Sequence, residues 1–510
     1  MKTPQAHRAH RAFAALLSLC AALVATPHAN AIAQPLLAGV AKVEVTHKEA
    51  GPVNDPLYVK VLALRQGTNQ AALITVDAVA IGGIGPIGND YLKNVRARLQ
   101  RELGLPPEQV LVNASHCHGI VCADVEARTV QAVLAAFKDM VPVRVGAGAG
   151  HEDRIMENRR LRLKSGREAD VRHAYSLPPD DAVAGVGPVD PEIGILRVDR
   201  EDGRTLALLY NFACHPIQGV PGKGNTADFV GFASRTIEET LGHGAVALFL
   251  QGCGGDINPV MYKATHHVRD AEPLGLMLGL RTLKAAKQIT PRAEGALKVR
   301  TQNLALPRAD LAPHILRLEA EQTNLLQSLK GTSLNLKTYL PLAVKYSLAT
   351  DFPSYYSHSY LHEQAMGRDG LLKLDAENRA ALLAYTRNIL IMEELTRVQT
   401  NLALLKLHHA QNTAAGKQTL DAEVLGVRIG DMRLITFPGE LTVQIGLNIK
   451  RASPHEQTYV AGYSNGYLYY CPTAEQLKNR GGAQEDSDCL LAPQWQKLFE
   501  DAAQALLRDL

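Results

Sequence analysis

Five strand-like apolar runs in this chain are each followed by a cluster of residues whose side chains could take part in catalysis. The clusters contain histidine, cysteine, aspartate, glutamate, asparagine and tyrosine, and they occupy residues 113–118, 211–216, 251–256, 438–440 and 463–467. In sheets covered by helices on both faces, ligands gather at the carboxyl ends of the strands. The five clusters are therefore predicted to lie on one rim and to form one site.

The residue types in these clusters suit a metal ion. A catalytic zinc site commonly has about three protein nitrogen or oxygen ligands and keeps one position for water. His116, His215 and Glu440 supply such a set from three distant segments. His118 follows His116 by two positions, and on an extended strand the two rings would point to opposite sides. The next residue, Gly119, permits the bend that would bring both rings into one cleft.

Each of these residues also has an explanation that needs no metal. A His-x-His pair is often structural or lies at the surface, and His215, which precedes a proline, could be a core histidine. Glu440 could cap the helix that we expect to start at Leu441. Tyr467 alone would most often be a packing residue. Their combination at strand ends is what favours a metal site.

Six cysteines follow residue 33, and none forms a CxxC pair, so a thiolate zinc knuckle is not expected. Cys117 stands between two histidines and is either a thiol nucleophile or, more often for such a residue, a small buried side chain. Cys471 and Cys489 flank a polar, glycine-rich loop. A disulfide between these two is predicted for an oxidising compartment.

Composition excludes several classes of protein. Of 510 residues, 46% are hydrophobic and 21% are charged, which excludes a disordered, collagen-like or coiled-coil protein. Lysine and arginine number 54 against 51 for aspartate and glutamate, and the whole excess lies in the first 33 residues. The remaining chain is electrically balanced, so neither nucleic acid nor an anionic membrane is expected as its main partner.

Residues 1–33 have the pattern of a cleaved secretory signal. A basic start precedes an apolar run from Ala12 to Ala25, and small residues follow. The run is too short to span a bilayer comfortably, and no later stretch reaches about 18 uninterrupted apolar residues. The sequence therefore predicts a secreted or periplasmic protein with no transmembrane segment in the mature chain. An uncleaved anchor is the alternative.

The predicted strands and helices that carry the five clusters indicate an α/β (mixed α+β) fold, with mixed sheets flanked by helices. Strand-like and helix-like segments alternate to about residue 290, and strands return from 421. We expect a domain of residues 34–310 and 411–510. Residues 311–410 would form a helical insertion with two long helices that pack as a hairpin. Its aromatic segment, 352–360, is either a lid over a pocket or a surface connection.

Five segments together resemble motifs of the neutral, non-lysosomal ceramidases and their bacterial relatives. They are Ser115–Gly119, Asn211–Pro216, Gly255–Pro259, Phe437–Thr442 and Gly462–Tyr467. The resemblance covers roughly residues 37–480. It implies a zinc hydrolase that cleaves an N-acyl amide.

The resemblance also implies a role for each site residue. The zinc ligands would be His116, His215, Glu440 and Tyr467. The catalytic residues would be His118, Arg159 and Tyr470. His118 would bond the substrate or the zinc-bound water and carry a proton to the leaving amine. Arg159 or a nearby tyrosine would stabilise the developing oxyanion.

Departures from the family pattern bear on the mechanism and the substrate. Asn258 occupies the serine position of the family's Gly-Asp-x-Ser-Pro motif, and residues 260–270 contain no serine. This favours attack by zinc-activated water, because zinc lowers the pKa of a bound water to about 7. We also expect the family's C-terminal immunoglobulin-like domain to be absent, since the chain stops soon after Tyr467.

The sequence thus predicts a zinc-dependent, ceramidase-like hydrolase that acts on a small-molecule or lipid amide. One alternative is a zinc amidase or esterase of the same fold with a non-ceramide substrate. A second is a non-catalytic periplasmic binding protein that uses the cleft without metal. A third is a thiol enzyme that uses Cys117.

Overall fold

The computed structural model describes residues 34–171, 177–264, 266–349 and 357–510. The predicted signal, residues 1–33, lies outside the described residues, so its cleavage stays a prediction. Residues 352–356 of the predicted lid also lie outside the described residues. In the described part of the chain, no helix is both long enough and apolar enough to cross a bilayer.

Strands and helices alternate along most of the described chain. The strands are β1 (Leu37–Glu44), β2 (Tyr58–Gln66), β3 (Asn69–Val76), β4 (Val110–Ala114), β5 (Val141–His151), β6 (Met156–Asn158), β7 (Arg160–Leu163), β8 (Glu168–Asp170), β9 (Val183–Val186), β10 (Glu192–Arg200), β11 (Thr205–Phe212), β12 (Val246–Gln251), β13 (Ile257–Pro259), β14 (Leu297–Pro307), β15 (Thr419–Ile429), β16 (Met432–Thr436), β17 (Glu440–Leu441), β18 (Thr458–Ala461) and β19 (Tyr470–Cys471). The helices are α1 (Tyr91–Leu103), α2 (Val125–Lys138), α3 (Asp228–Leu241), α4 (Glu272–Ala286), α5 (Ala312–Ser328), α6 (Leu336–Leu348), α7 (Ser357–Ala365), α8 (Gly370–Ala414), α9 (Val443–Ala452), α10 (Gln484–Ser487) and α11 (Trp495–Asp509).

Two mixed sheets contain the long strands. The larger has the order β12-β11-β10-β5-β1-β2-β3-β4, and the smaller has the order β14-β15-β16-β18. Most neighbours are antiparallel, but β3–β4, β11–β12 and β16–β18 are parallel. The short strands form a three-stranded sheet, β8-β7-β9, and the pairs β13–β6 and β17–β19. Mixed sheets flanked by helices confirm the predicted fold class.

The two large sheets pack face to face between two helical layers. Alternate residues of a strand point to opposite faces. Val59 and Val61 of β2 therefore pack with α1 and α2, whereas Leu62 and Leu64 pack with the smaller sheet. Helices α3 and α4 cover the β10–β12 part of the larger sheet, and α9 and α11 cover the outer face of the smaller sheet.

Four further helices occupy the region between β14 and β15. The two long ones, α5 and α8, pack through a small apolar cluster that includes Leu318 and Leu405. Helices α6 and α7 are fastened to α8 by one carboxylate. Tyr346 of α6 and Tyr360 of α7 each donate a 2.5 Å hydrogen bond to Asp375. Tyr360, from the predicted lid segment, is thus buried against α8.

The predicted disulfide between Cys471 and Cys489 is wrong. Both residues are buried free thiols. The Sγ atom of Cys471 donates to the carbonyl oxygen of Tyr469 at 3.7 Å, and that of Cys489 donates to the carbonyl oxygen of Leu491 at 3.8 Å. Each thiol therefore has a backbone partner of its own.

Candidate metal centre

The predicted ligands follow three strands, each of which has one parallel neighbour. His116 follows the end of β4, His215 follows the end of β11, and Glu440 follows β16 as the first residue of β17. Asn113 of β4 joins these segments. Its Oδ1 accepts from the backbone N–H of Gln251 at the end of β12 at 2.9 Å, and its Nδ2 donates to the carbonyl oxygen of Gly462 at 2.7 Å. A bridge between Asn113 and Ser464 further connects β4 with the loop that follows β18. The three distant segments thus converge on one place.

His116, His215 and Glu440 form a compact buried triad. One potential ligand atom from each lies within 4.8 Å of the others, and none of the three residues is more than 2% exposed. The Oε2 atom of Glu440 is 3.1 Å from Nε2 of His215 and 3.6 Å from Nε2 of His116. The two imidazole rings lie 4.8 Å apart at an interplanar angle of 74°.

Backbone carbonyls orient both imidazoles. Nδ1 of His116 lies 2.6 Å from the carbonyl oxygen of Val79, and Nδ1 of His215 lies 2.5 Å from that of Gly254. A carbonyl oxygen can only accept, so each Nδ1 has the proton and each Nε2 presents a lone pair. Metal-binding histidines are commonly held in this way. The backbone of His116 is also left-handed, with φ at 66°.

The protonation states also fit a cation. Burial lowers the pKa of His116 to about 4, and the positive charges of His215 and Arg159 act in the same direction. Burial alone would raise the pKa of Glu440, but His116 and His215 hold it well below its usual value. At neutral pH the site therefore combines two imidazole lone pairs with a carboxylate, a donor set that suits a divalent metal.

Two tyrosines share the carboxylate of Glu440. Tyr467 donates from Oη to Oε1, and Tyr463 donates from Oη to Oε2 at 3.2 Å. Burial and the charge of Glu440 raise the pKa of both hydroxyls well above the usual value. Tyr467 thus lies beside the triad, and its role as a zinc ligand stays a prediction. Sequence reasoning assigned no role to Tyr463, although it occupies the same motif as Tyr467.

His118 and Tyr470 face the same cavity as the triad. His118 is exposed, and its ring centre lies 5.5 Å from that of His116. The left-handed backbone is at His116 itself, with φ at 66°, and Gly119 has no positive φ, so the predicted bend lies at the first histidine. Both histidines reach one cleft. Tyr470 lies parallel to the ring of His215, with centroids 6.4 Å apart and an interplanar angle of 18°. Their catalytic roles stay predictions.

Arg159 lines the cavity from a buried position, with only 1% of it exposed. Its Nε donates to Glu485 at 2.6 Å and Nη1 donates to Asn258 at 3.1 Å. Burial opposes its charge, but Glu485 and Tyr470 keep the pKa of Arg159 well above its usual value. Asn258, the residue in the family's serine position, therefore orients an arginine. Contact of Arg159 with a substrate carbonyl stays a prediction.

Cys117 does not have the surroundings of a nucleophile. It is fully buried in the core beneath α1 and α2 and does not line the cavity that contains the triad. Burial raises the pKa of its thiol far above neutral pH. The interpretation as a small buried residue is therefore correct, and the thiol-enzyme alternative loses its support.

A cavity of about 1180 Å³ opens over the triad. Its inner wall contains the triad and the tyrosines, and its outer wall is built from residues 50–52, 262–263 and 268–269 and from the loop at 216–226. Lys223, Lys263 and Arg269 belong to this outer wall. Arg269 and Lys263 lie 4.5 and 5.0 Å from the ring centre of Tyr262. Within the described chain, no residue of 311–410 lines this cavity.

Two solved structures have the same architecture. Neutral ceramidase from Pseudomonas aeruginosa matches with a TM-score of 0.56 and 16% identity over 94% of this chain and 75% of that chain. A ceramidase complexed with C2 matches with a TM-score of 0.55 and 16% identity over 94% of this chain and 76% of that chain.

The chain has the neutral ceramidase fold. No protein-family model matches the sequence, and no curated protein matches it. The neutral ceramidase fold confirms at the level of structure the resemblance that the motifs indicated. The triad occupies the strand-end rim of this fold.

Proposed function

We propose that this protein is a zinc-dependent hydrolase of N-acyl amides. The observation that carries the proposal is the buried triad of His116, His215 and Glu440, which opens into a cavity of about 1180 Å³. The neutral ceramidase fold supports a hydrolase, and the name of the matching proteins motivates a lipid amide as substrate. The pattern of residues 1–33 supports secretion or export to the periplasm.

The triad would hold zinc, with Tyr467 as the proposed fourth ligand. Bound zinc would supply a Lewis acid and activate water at neutral pH. The hydroxyl of Tyr463 keeps Glu440 in position. His118, exposed to the cavity next to His116, would pass a proton from its ring nitrogen to the leaving amine. Arg159 lies over the ring of Tyr470 in the cavity wall, with its guanidinium carbon 5.5 Å from the ring centre.

The outer wall of the cavity favours a second candidate, an amide with an anionic end. Ceramide has a neutral head group, whereas Lys223, Lys263 and Arg269 add three positive charges to this wall. A carboxylate on the substrate would pair with such cations. N-acyl amino acids combine an apolar acyl chain with that charge, so they are the second class that we propose.

A substrate panel with metal analysis tests the proposal. Purified protein would be assayed for acid release from N-acyl-sphingosine and N-acyl amino acids, with and without a chelator, and zinc would be measured in the same samples. We expect about one zinc per chain and release that the chelator abolishes. Preference for the N-acyl amino acid, with a KM that rises in Lys263→Gln/Arg269→Gln, would support the second candidate.

Matched variants separate the alternatives. His215→Ala should lose zinc and turnover together, whereas His151→Ala, an exposed histidine on β5, should keep both. Neither zinc nor release after zinc is added back would refute the hydrolase and favour a binding protein. Mass spectrometry of the exported chain tests the signal, since a mass that includes residues 1–33 would contradict cleavage.

A further inference from the structure

Helix α6 presents an apolar stripe that no other residue of the described chain covers. Leu336, Leu340, Val344 and Leu348 recur every four residues, which places them on one face of the helix. Their exposed fractions are 57%, 53%, 56% and 81%. Aliphatic side chains arranged in a row at this exposure are unusual for a surface that faces only water.

The opposite face of α6 is fixed to the rest of the protein. The ring of Tyr339 stacks on Tyr385 of α8 with centroids 4.6 Å apart, and its hydroxyl lies 3.0 Å from Oγ1 of Thr386. Tyr346 donates to Asp375, as described above. Tyrosines therefore occupy the inward face, and the aliphatic stripe cannot turn inward without the loss of these contacts.

The segment that contains the stripe carries charge of one sign. Residues 329–349 contain three lysines, at positions 330, 337 and 345, and no acidic residue. Asp375 of α8 contacts α6 on the opposite, inward face through Tyr346. Two acids that follow α6 in the chain have cationic partners. Glu363 lies 3.4 Å from Arg368, and Asp369 lies 2.9 Å from Lys373.

We propose that α6 lies flat on an anionic lipid surface, with its aliphatic stripe among the acyl chains and its lysines at the head groups. Short amphipathic helices with basic flanks bind membranes in this way. A second copy of the chain fits poorly as the occupant, since a symmetric contact between two α6 helices would oppose lysines to lysines. The inference goes beyond the proposed function, because docking requires no turnover.

Flotation of the full mature chain with lipid vesicles tests the proposal. The vesicles would contain phosphatidylcholine alone or phosphatidylcholine mixed with phosphatidylglycerol. We expect the wild type to float with the anionic vesicles. Leu340→Glu/Val344→Glu should bind at least about tenfold more weakly, because two buried aliphatic groups are lost. Lys337→Gln/Lys345→Gln should lose about fivefold per lysine, and only with anionic vesicles.

A matched pair on another helix provides the control. Leu276 and Leu280 of α4 are also spaced by four residues, with exposed fractions of 41% and 57%. Leu276→Glu/Leu280→Glu should bind vesicles like the wild type. No flotation of the wild type, or equal flotation of the α6 and α4 variants, would overturn the proposal. So would a wild-type dimer that Leu340→Glu/Val344→Glu dissociates. Hydrolysis of a water-soluble short-chain amide by the α6 variant would separate failed docking from failed chemistry.

Discussion

The metal rim and helices α5 and α6 of the helical layer formed by α5–α8 bury their side chains to opposite extents. At the rim, His116, His215 and Glu440 are at most 2% exposed, and each contacts fixed neighbours through more than one atom. In the helical layer, α5 buries a single residue, Leu318, and α6 buries a single residue, Tyr346. Rigid geometry and an open apolar surface thus occupy different parts of one chain.

This difference indicates where the fold is under strain. The rim combines a left-handed histidine, a buried carboxylate and the buried Arg159, all of which cost free energy unless they are well partnered. In the helical layer the buried charged groups lie on α8, where Asp375 and Arg397 are at most 7% exposed. The layer's support of the site also runs through α8, where Asn401 accepts from Ser487 at 2.6 Å and His408 lies 2.6 Å from Asp488.

The largest expected effect would come from loss of a metal ligand. Glu440→Gln removes the carboxylate with little change of shape, and we expect a loss of about a thousandfold in turnover together with the bound zinc. The far-ultraviolet circular dichroism should stay unchanged. Activity and metal content would be measured on one preparation. Full zinc and full activity in Glu440→Gln would remove the rim from the mechanism.

A buried ion pair should be the next most sensitive feature. Glu485→Gln leaves Arg159 and Arg160 without their shared counter-charge, at contacts of 2.6 and 3.2 Å. We expect the free energy of unfolding to fall by about 3–5 kcal/mol in urea titrations. Glu475→Gln, which breaks the exposed pair with Lys478, should have no measurable effect. Equal effects of the two variants would contradict the expected difference between the buried and the exposed ion pair.

Acidification should lower the free energy of unfolding through His116 at the rim. In the folded chain the pKa of His116 is about 4, below its ordinary value of 6.5, so between these values the unfolded chain binds more protons. The contribution of His116 to the stability of the metal-free protein, measured as the difference between the wild type and His116→Asn, should therefore rise with pH across this window by up to about 3 kcal/mol and level off above it. Asp228 and Asp486, whose pKa values burial raises to about 6, act in the opposite direction in both proteins. Urea titrations of both proteins in chelator would measure this difference. An unchanged profile in His116→Asn would exclude His116 as the cause.

Substitutions in the helical layer should have the smallest effects on the free energy of unfolding. Tyr360→Phe removes one of two hydrogen bonds to Asp375 and should cost about 1.5 kcal/mol in the free energy of unfolding. Leu383→Gln, at a residue of α8 that is 72% exposed, should change stability by less than about 0.5 kcal/mol. Both would be measured by thermal unfolding. A larger cost for Leu383→Gln would mean that this surface is covered.

The sequence predicted the ligands of the rim because each apolar, strand-like run is followed directly by residues that could bind a metal or act in catalysis. His116, His215 and Glu440 were predicted as ligands, and the structure brings them together. Tyr463 was missed because its contact with Glu440 depends on a left-handed turn, with φ at 52°, that no periodicity reports. The disulfide prediction failed because two cysteines around a loop do not reveal which way their thiols point.

In the helical layer, spacing predicted the two long helices, α5 and α8, but not α6 and α7 between them. The usual assumption that apolar residues face inward fails for α6, where tyrosines pack against α8 through hydroxyl and ring contacts. Leu336, Leu340 and Leu348 of the same helix are left exposed. Two partners on α8 decide between the two faces, Asp375, which is 29 residues after Tyr346, and Tyr385, which stacks on Tyr339.

The pair formed by Arg159 and Glu485 has a consequence for biosynthesis. Its members are 326 residues apart, and His215 is 225 residues from Glu440. A chain that emerges from the ribosome has both histidines and the buried arginine long before their acidic partners exist. Until those partners arrive, the arginine must stay in water, so the rim can close only as a late step of folding. Truncation near the C-terminal end would abolish the site, whereas loss of a surface helix would leave it assembled.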